Sequence, residues 1–228
     1  MKTDKIMPLI GFCFVALLSI VSLNSCKKKS ETVYSCNPKV NNWVKSHTRS
    51  FESITRAELV TYPIEEQFGI FRSLSNQAKK NIFVDKVNYI LAHETFSASE
   101  IAHLNLLKNN FEPDYYDEGN AAGIQFIHNW ENEATNNLGW DDVKLTLTVG
   151  TWLTNDDLAQ MPSGGGGHGG GGGGGLTPDC NCLKDAYCSW MTPTMSPYCN
   201  KMKACNVKGG CGLFGWDNCL GKCLWTDK

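Results

Sequence analysis

Eight of the chain's eleven cysteines lie in its last forty-nine residues: Cys180, Cys182, Cys188, Cys199, Cys205, Cys211, Cys219 and Cys223. Cysteine thiols support three chemistries: cross-linking, metal ligation and nucleophilic catalysis. The spacing selects the first. Zinc ribbons use two Cys-x2-Cys pairs, whereas this segment opens with Cys180-x-Cys182 and closes with Cys219-x3-Cys223 across uneven gaps. No nucleophile–base constellation accompanies the thiols. A segment this short buries too little apolar surface to fold unaided, so an even set of cysteines implies a module held by disulfides. All eight are expected to pair within it.

Elsewhere, residues with reactive side chains are scattered. His93-Glu94-Thr95-Phe96 starts like a zinc-protease helix, but Ser97 stands where the second histidine is needed. His93 and His103 are isolated and are expected to be ordinary surface or core histidines. Asp114, Asp117 and Glu118 cluster beside Tyr115 and Tyr116 without calcium-loop spacing, which suits a solvated turn. Asp141-Asp142 and Asp156-Asp157 read as helix or turn caps. There is no Gly-x-Ser-x-Gly. The expectation is a protein that is not an enzyme, with no metal and no cofactor.

The elements that must position the cysteines begin at an export signal. Lys2 and Lys5 precede an apolar run from Ile6 to Leu23, which ends in Leu23-Asn24-Ser25-Cys26. That ending resembles the lipobox of bacterial lipoproteins. The resemblance implies that residues 1–25 are removed and that Cys26 becomes the acylated N-terminus, anchored in membrane lipid. Export also places the tail cysteines in an oxidising compartment. Residues 26–36 would be an acylated tether. Within it Cys36 is the odd thiol, left either buried and free or for a bridge between chains.

Residues 37–162 read as an α-helical domain. Asn37-Pro38 caps a first helix, Pro63 opens a second and Ser75 a third, whose stripe is Ile82, Phe83, Val87, Ile90 and Leu91. Ser97-Ala98-Ser99-Glu100 is a capping box before Ile101, Leu104 and Leu107. Pro113 ends that pattern, and Ala121, Ile124, Ile127, Trp130 and Ala134 mark another helix. Val143, Leu145, Leu147 and Val149 alternate like a strand but have no evident partner, which leaves an edge strand or a last helix.

Residues 163–176 are a polyglycine linker with a root-mean-square span of roughly 20 Å. It is no phosphate loop, because no Lys-Ser/Thr follows it. His168 within it fixes no ligand geometry. Residues 177–228 form the irregular, disulfide-rich module. The expected class is therefore a mainly α N-terminal domain and a small disulfide-rich C-terminal module on a flexible linker.

The net charge of −2 hides an asymmetry. Residues 27–163 hold 13 basic and 18 acidic side chains, a net of −5, while residues 180–228 hold 6 lysines and 3 aspartates, a net of +3. In the tail, Trp190, Trp216 and Trp225 are interleaved with Lys201, Lys203 and Lys208. Indoles and lysines on a rigid scaffold suit a membrane interface, with lysines drawn to anionic lipid. The plainer reading is that the aromatics fill a miniature core. The modest excess of lysine argues against a nucleic-acid partner. No protein partner is legible.

Cys180-Asn181-Cys182, Tyr187-Cys188, Gly210-Cys211-Gly212 and Gly215-Trp216 together resemble fulvocin C, a small cysteine-rich bacteriocin. The whole layout is similar to the fulvocin C-related lipoproteins of Bacteroidota. The chain departs from that pattern in its long Cys188–Cys199 gap and its closing Cys-x3-Cys. The resemblance implies an antibacterial module acting at target-cell membranes, with the helical domain as carrier or mask. The alternative is a non-toxic envelope-binding lipoprotein with a disulfide-rich recognition head. Lys27-Lys28-Lys29 differs from the acidic motif that resembles surface-export signals, which points to the outer membrane's periplasmic face, with the module released outside in the bacteriocin reading.

Overall fold

The computed structural model describes residues 32–160, 179–180, 196–200, 207–211, 213–219 and 221–226. Eight α-helices lie among them: α1 Pro38–His47, α2 Arg56–Leu59, α3 Ile64–Ser73, α4 Asn76–His93, α5 Ala98–Asn110, α6 Ala121–Asn136, α7 Asp142–Leu145 and α8 Asn155–Gln160. The strands are β1 Asp179–Cys180, β2 Ser196–Asn200, β3 Val207–Cys211, β4 Asp217–Cys219 and β5 Gly221–Thr226. The described residues are mainly helical, as the sequence implies.

Local chemistry explains the helix starts. A helix leaves its first N–H groups without intrahelical acceptors, so a short polar side chain there is stabilising. Asn37 accepts from Lys39 N, Ser75 from Ala78 N, Asn120 from Gly123 N and Asp141 from Lys144 N. Ser97 and Glu100 form the complete reciprocal box at α5. Thr55 and Glu58 form a second at α2, on a segment whose sequence gave no helical stripe. Glu100 also accepts from Trp140 Nε1 at 2.8 Å and from Lys144. The Lys144 ammonium, then the Ser97 backbone N–H, draw its carboxyl down to about 2.

The Val143–Val149 stretch is helical. It runs through α7 into a π-helical turn, Thr146–Gly150. Its alternating pattern is misleading because Val143 is exposed while Leu145, Thr146, Thr148 and Val149 are all buried. A wound segment enclosed on most sides does not need a polar residue at every second position.

Helix α4 is the spine. It meets α2, α5, the 3₁₀ turn Pro113–Tyr116 and the π turn, while α1 packs on α3 and α5 on α6. Ile82, Phe83, Val87 and Ile90 of its stripe are buried. Trp152 stacks on Phe71 with centroids 4.8 Å apart and meets Phe68 edge-on at 5.0 Å. Its Nε1 donates to Gln67 Oε1 at 2.7 Å, so the buried indole is satisfied.

The described strands form two small antiparallel sheets: β1-β5-β2 in three strands and β3-β4 in two. Cys199 lies opposite Cys223 in the β2–β5 register, and Cys180 opposite Gly221 in β1–β5. From Val33 onward the described residues belong to one compact unit. The glycine linker separates the two regions along the chain, but the β3–β4 hairpin is built into the helical core, which includes Phe214.

No helix among the described residues is long and apolar enough to cross a membrane. The apolar run Ile6–Leu23, the lipobox cysteine Cys26 and the linker lie outside the described residues.

Candidate functional site at the hairpin–helix junction

The junction starts from glycine chemistry. β3 ends in Gly209-Gly210-Cys211, and a 3₁₀ turn, Leu213–Gly215, leads to β4. Gly210 has φ +86°, and a Cβ there would fall 2.6 Å from Arg72 Nε. Gly215 has φ +68°, and its Cβ would fall 2.6 Å from Phe71 Cε1. Only glycine adopts these angles and permits such close approach at no cost. The hairpin can therefore lie directly on α3.

Between those glycines Phe214 takes φ +58°, a left-handed conformation that costs a non-glycine residue energy. Packing offsets it. The ring is 1% exposed and sits 5.1 Å from Phe111, 5.6 Å from Phe83 and 5.9 Å from Trp130. The Tyr116 hydroxyl donates to the Phe214 carbonyl at 3.1 Å. Burial drives the Tyr116 hydroxyl well above its ordinary range, so it stays a neutral donor.

Arg72, from α3, is the polar counterpart. Its guanidinium is buried, lies over the Phe68 ring, and donates to Gly209 O at 2.9 Å and Tyr34 O at 2.7 Å. Its Nη2 is 2.7 Å from Cys219 Sγ. One side chain thus binds the segment that precedes α1, the hairpin and the sulfur of a bridge. Cys211 and Cys219 are both fully buried and disulfide-bonded across the β3–β4 pair. At the rim, Lys208 is paired with Glu118.

Beside the hairpin is a cleft of about 330 Å³ between the 3₁₀ turn Pro113–Tyr116, α6 and the Leu213–Trp216 turn. Tyr115 and Trp216 meet in it edge-on, at 6.3 Å. Asp117, Glu118 and Glu131 supply carboxylates, and no lysine or arginine is among its described lining residues. The Trp216 indole Nε1 is buried with no hydrogen-bond partner, the one such side-chain N or O atom among the described residues. The acidic turn at Asp114–Glu118, read from sequence as merely solvated, is therefore one wall of a cleft.

The remaining expected residues fall as follows. Trp216 is half-buried against the core, and Lys208 is 77% exposed at its side chain. Trp225 lies opposite Pro197 in β5, with its side chain outside the described residues. Trp190, Lys201, Lys203, Cys182, Cys188 and Cys205 lie outside them too. So do the side chains of Cys180, Cys199 and Cys223.

Cys36 corrects an expectation. It is half-buried and disulfide-bonded within the chain, neither a free thiol nor a link to a second copy. A lone cysteine ahead of the first helix gives no spacing signal of its own.

His93 and His103 pack against aromatic rings. His103 stacks on Trp130 at 4.4 Å, its Nε2 contacts Trp130 O at 3.1 Å, and Trp130 Nε1 donates to His103 O at 3.0 Å. Burial lowers its pKa, which favours the neutral ring. His93 stacks on Tyr89 at 4.1 Å. Among the described residues no group of three or more His, Cys, Asp or Glu is placed to hold a metal.

Sequence reasoning did not find Lys86. It is fully buried in α4, and its amine donates to the carbonyls of Leu147 and, at 2.6 Å, Thr151 at the end of the π turn. Burial lowers its pKa to about 7. A neutral amine has two N–H groups, which these two carbonyls match. Arg56 is also buried, but it is paired with Asp85 at 3.0 Å and Asp157 at 2.6 Å.

No family model, curated protein or solved structure matches this chain.

Proposed function

We propose that the protein is an exported, lipid-anchored envelope protein of the bacteriocin type, whose cysteine-rich tail acts at membranes and is held in check by its helical region. The observation that carries this reading is the seating of the hairpin. An aromatic side chain of the tail, Phe214, is enclosed by helical residues, and a tail lysine, Lys208, is neutralised by Glu118. Those are the two residue types that a membrane-active surface needs. The acidic helical region and the basic tail are complementary in charge, which fits a mask.

The test uses the mature chain and anionic vesicles loaded with dye. Wild type should release little dye. Arg72→Met combined with Glu118→Gln, which frees the hairpin and keeps Phe214 and Lys208, should release more, and so should the oxidised segment 176–228. Silence of both on vesicles and on a panel of bacteria overturns the reading.

A second reading is an envelope-binding lipoprotein without killing activity. The aromatic, carboxylate-lined cleft favours it, because that cleft exists only with the hairpin docked on the helices.

A further inference from the structure

We propose that the Cys211–Cys219 bridge is a thiol–disulfide exchange site for a dithiol, with the Arg72 guanidinium holding the reduced Cys219 as a thiolate. Neither functional reading above requires it. The starting point is one contact: Arg72 Nη2 lies 2.7 Å from Cys219 Sγ. A disulfide sulfur is a weak hydrogen-bond acceptor, whereas a thiolate is an anion and pairs with a guanidinium far more strongly. A cation at that place therefore favours one form of the reduced pair, with Cys219 as thiolate and not as thiol.

The guanidinium is held there by more than the sulfur. It is 7% exposed, lies 5.6 Å from the centre of the Phe68 ring, and donates to Gly209 O and Tyr34 O. None of those contacts includes a bridge atom, so with the hairpin seated the cation stays aimed at residue 219 after the S–S bond is broken. Arginine also keeps its proton at every pH the protein meets. Burial alone would push a thiol up, but an opposite charge in direct contact at a buried site acts the other way and dominates. Lys79 of α4 adds a second positive charge at the same junction, its ammonium lying over the Phe71 and Tyr116 rings at 5.9 and 5.3 Å. The Lys208–Glu118 pair at the rim sums to zero.

Both bridge residues are fully buried, so exchange takes place when the hairpin lifts. A thiolate of the dithiol attacks Cys211 Sγ. The Cys211–Cys219 bond breaks, and its electron pair leaves on Cys219 Sγ. The second sulfur of the dithiol loses its proton, attacks the first within the mixed disulfide and expels Cys211 Sγ, which takes up a proton. The dithiol departs as a cyclic disulfide, oxidised by two electrons, and the cysteine pair is reduced by two. One proton is released to solvent overall, because Cys219 stays ionised. When the hairpin closes again, Arg72 meets an anion where it had met a bridge sulfur. An ion pair thereby replaces a covalent bond at one place, and the hairpin is seated in both redox states. The rate of reduction follows hairpin opening, whereas the equilibrium follows Arg72.

The experiment equilibrates the mature, oxidised full chain with fixed ratios of reduced to oxidised dithiothreitol that leave its backbone amide spectrum native. The pH runs from 5.5 to 7.5, below the region near 8 where Lys79, buried and beside Arg72, loses its charge. Acid quenching, alkylation in denaturant and trypsin then read this site alone, because the peptide from Gly209 to Lys222 holds Cys211, Cys219 and no other cysteine. Release of one proton should raise the reduced-to-bridged ratio by about fivefold or more across that window. Arg72→Met should hold the change below about twofold, as for two ordinary thiols of pKa about 8.5, and Arg72→Lys, which keeps a charge, should restore part of the rise. Cys211→Ser gives a second measurement that leaves Arg72 in place. There the Cys219 Cβ carbon-13 resonance should titrate well below the ordinary thiol value. A wild-type ratio that is flat with pH overturns the proposal, as does a rise that survives Arg72→Met. A Cys219 that titrates at or above the ordinary value in Cys211→Ser overturns it as well, even where Arg72→Met does not fold.

Discussion

The Arg72 Nη2 lies 2.7 Å from the Cys219 sulfur, 147 residues away in sequence, and so fastens helix α3 to the end of the tail's hairpin. The same guanidinium donates to Tyr34 O and Gly209 O. Three separate stretches of chain meet on one cation. Because Gly210 leaves no room for a Cβ against that guanidinium, the contact is as much shape as charge. Arg72→Met keeps most of the volume and removes the donors. Two backbone carbonyls then lose charge-assisted bonds, each worth about 1.5–3 kcal/mol. Urea denaturation should show a loss of about 3 kcal/mol or more. Reduction of the Cys211–Cys219 bridge by a dithiol should also quicken, because the hairpin that covers it opens more often. Unchanged reduction kinetics would mean that Arg72 does not hold the hairpin.

Phe214 tests the same junction from the apolar side. Truncating a fully buried phenylalanine to alanine costs about 3–5 kcal/mol. Phe214→Ala should therefore lower the melting temperature of the helical region itself, read from far-ultraviolet circular dichroism, although residue 214 lies beyond the glycine linker. A variant that melts like wild type would show that the helical core does not depend on the tail.

Much of the helical layer is legible in the sequence, because its starts are written in short polar side chains and its core in periodic ones. Asn37, Ser75 and Ser97 each cap where their sequence places them. Helix α2 is missed because its four residues carry no period. The π turn is missed because Thr146 and Thr148 are buried, which breaks the link between polarity and exposure. The junction is illegible for a different reason. Phe214 reads as one aromatic among several in a disulfide module, and nothing local says that its ring belongs to a core that begins at Val40. The Gly-Gly-Cys-Gly and Phe-Gly glycines were the available signal, since positive φ and close approach are what they permit. Lys86 carries no signal at all: a lysine within an apolar stripe looks like a solvated one.

Lys86 sets a pH dependence. Its folded pKa, about 7, lies below the ordinary lysine value of 10.5 because burial disfavours the charge. Between those two values the unfolded chain binds more protons than the folded one. Stability from this group therefore rises with pH from about 7 to about 10.5, and the full penalty of the buried charge is present below 7. The slope is at most about 1.4 kcal/mol per pH unit. Lys86→Met should remove that slope, so the wild-type-minus-variant difference in unfolding free energy should grow with pH across this window. A difference that is flat from pH 7 to 10 would refute the assignment. Above pH 10.5, where the amine is neutral in both states, the comparison isolates the other contribution of Lys86, the bonds to Leu147 and Thr151.

Cys26 and Cys36 give a linked prediction. If Leu23-Asn24-Ser25-Cys26 directs cleavage and acylation, the intact mass of the mature protein begins at Cys26 and includes lipid, and Cys26→Ala accumulates precursor. In that mature chain Cys13 is gone and the Cys26 sulfur is a thioether. Cys36 is disulfide-bonded, and Cys211 and Cys219 are bonded to each other. If the Cys36 bond persists in that mature chain, its partner is one of the other six tail cysteines. A protease site inserted in the 163–176 glycine run provides the measurement. After cutting, the acylated helical fragment and the tail should migrate as one species until a reductant is added, and tryptic mapping should recover a Cys36 cross-link to the tail. Fragments that separate without reductant in denaturant, together with a Cys36 that reacts with iodoacetamide, would overturn the bridge. The result also bears on function. With the bridge intact, proteolysis of the linker alone does not free the tail from its lipid anchor, so a released, membrane-active tail requires reduction of Cys36 as well.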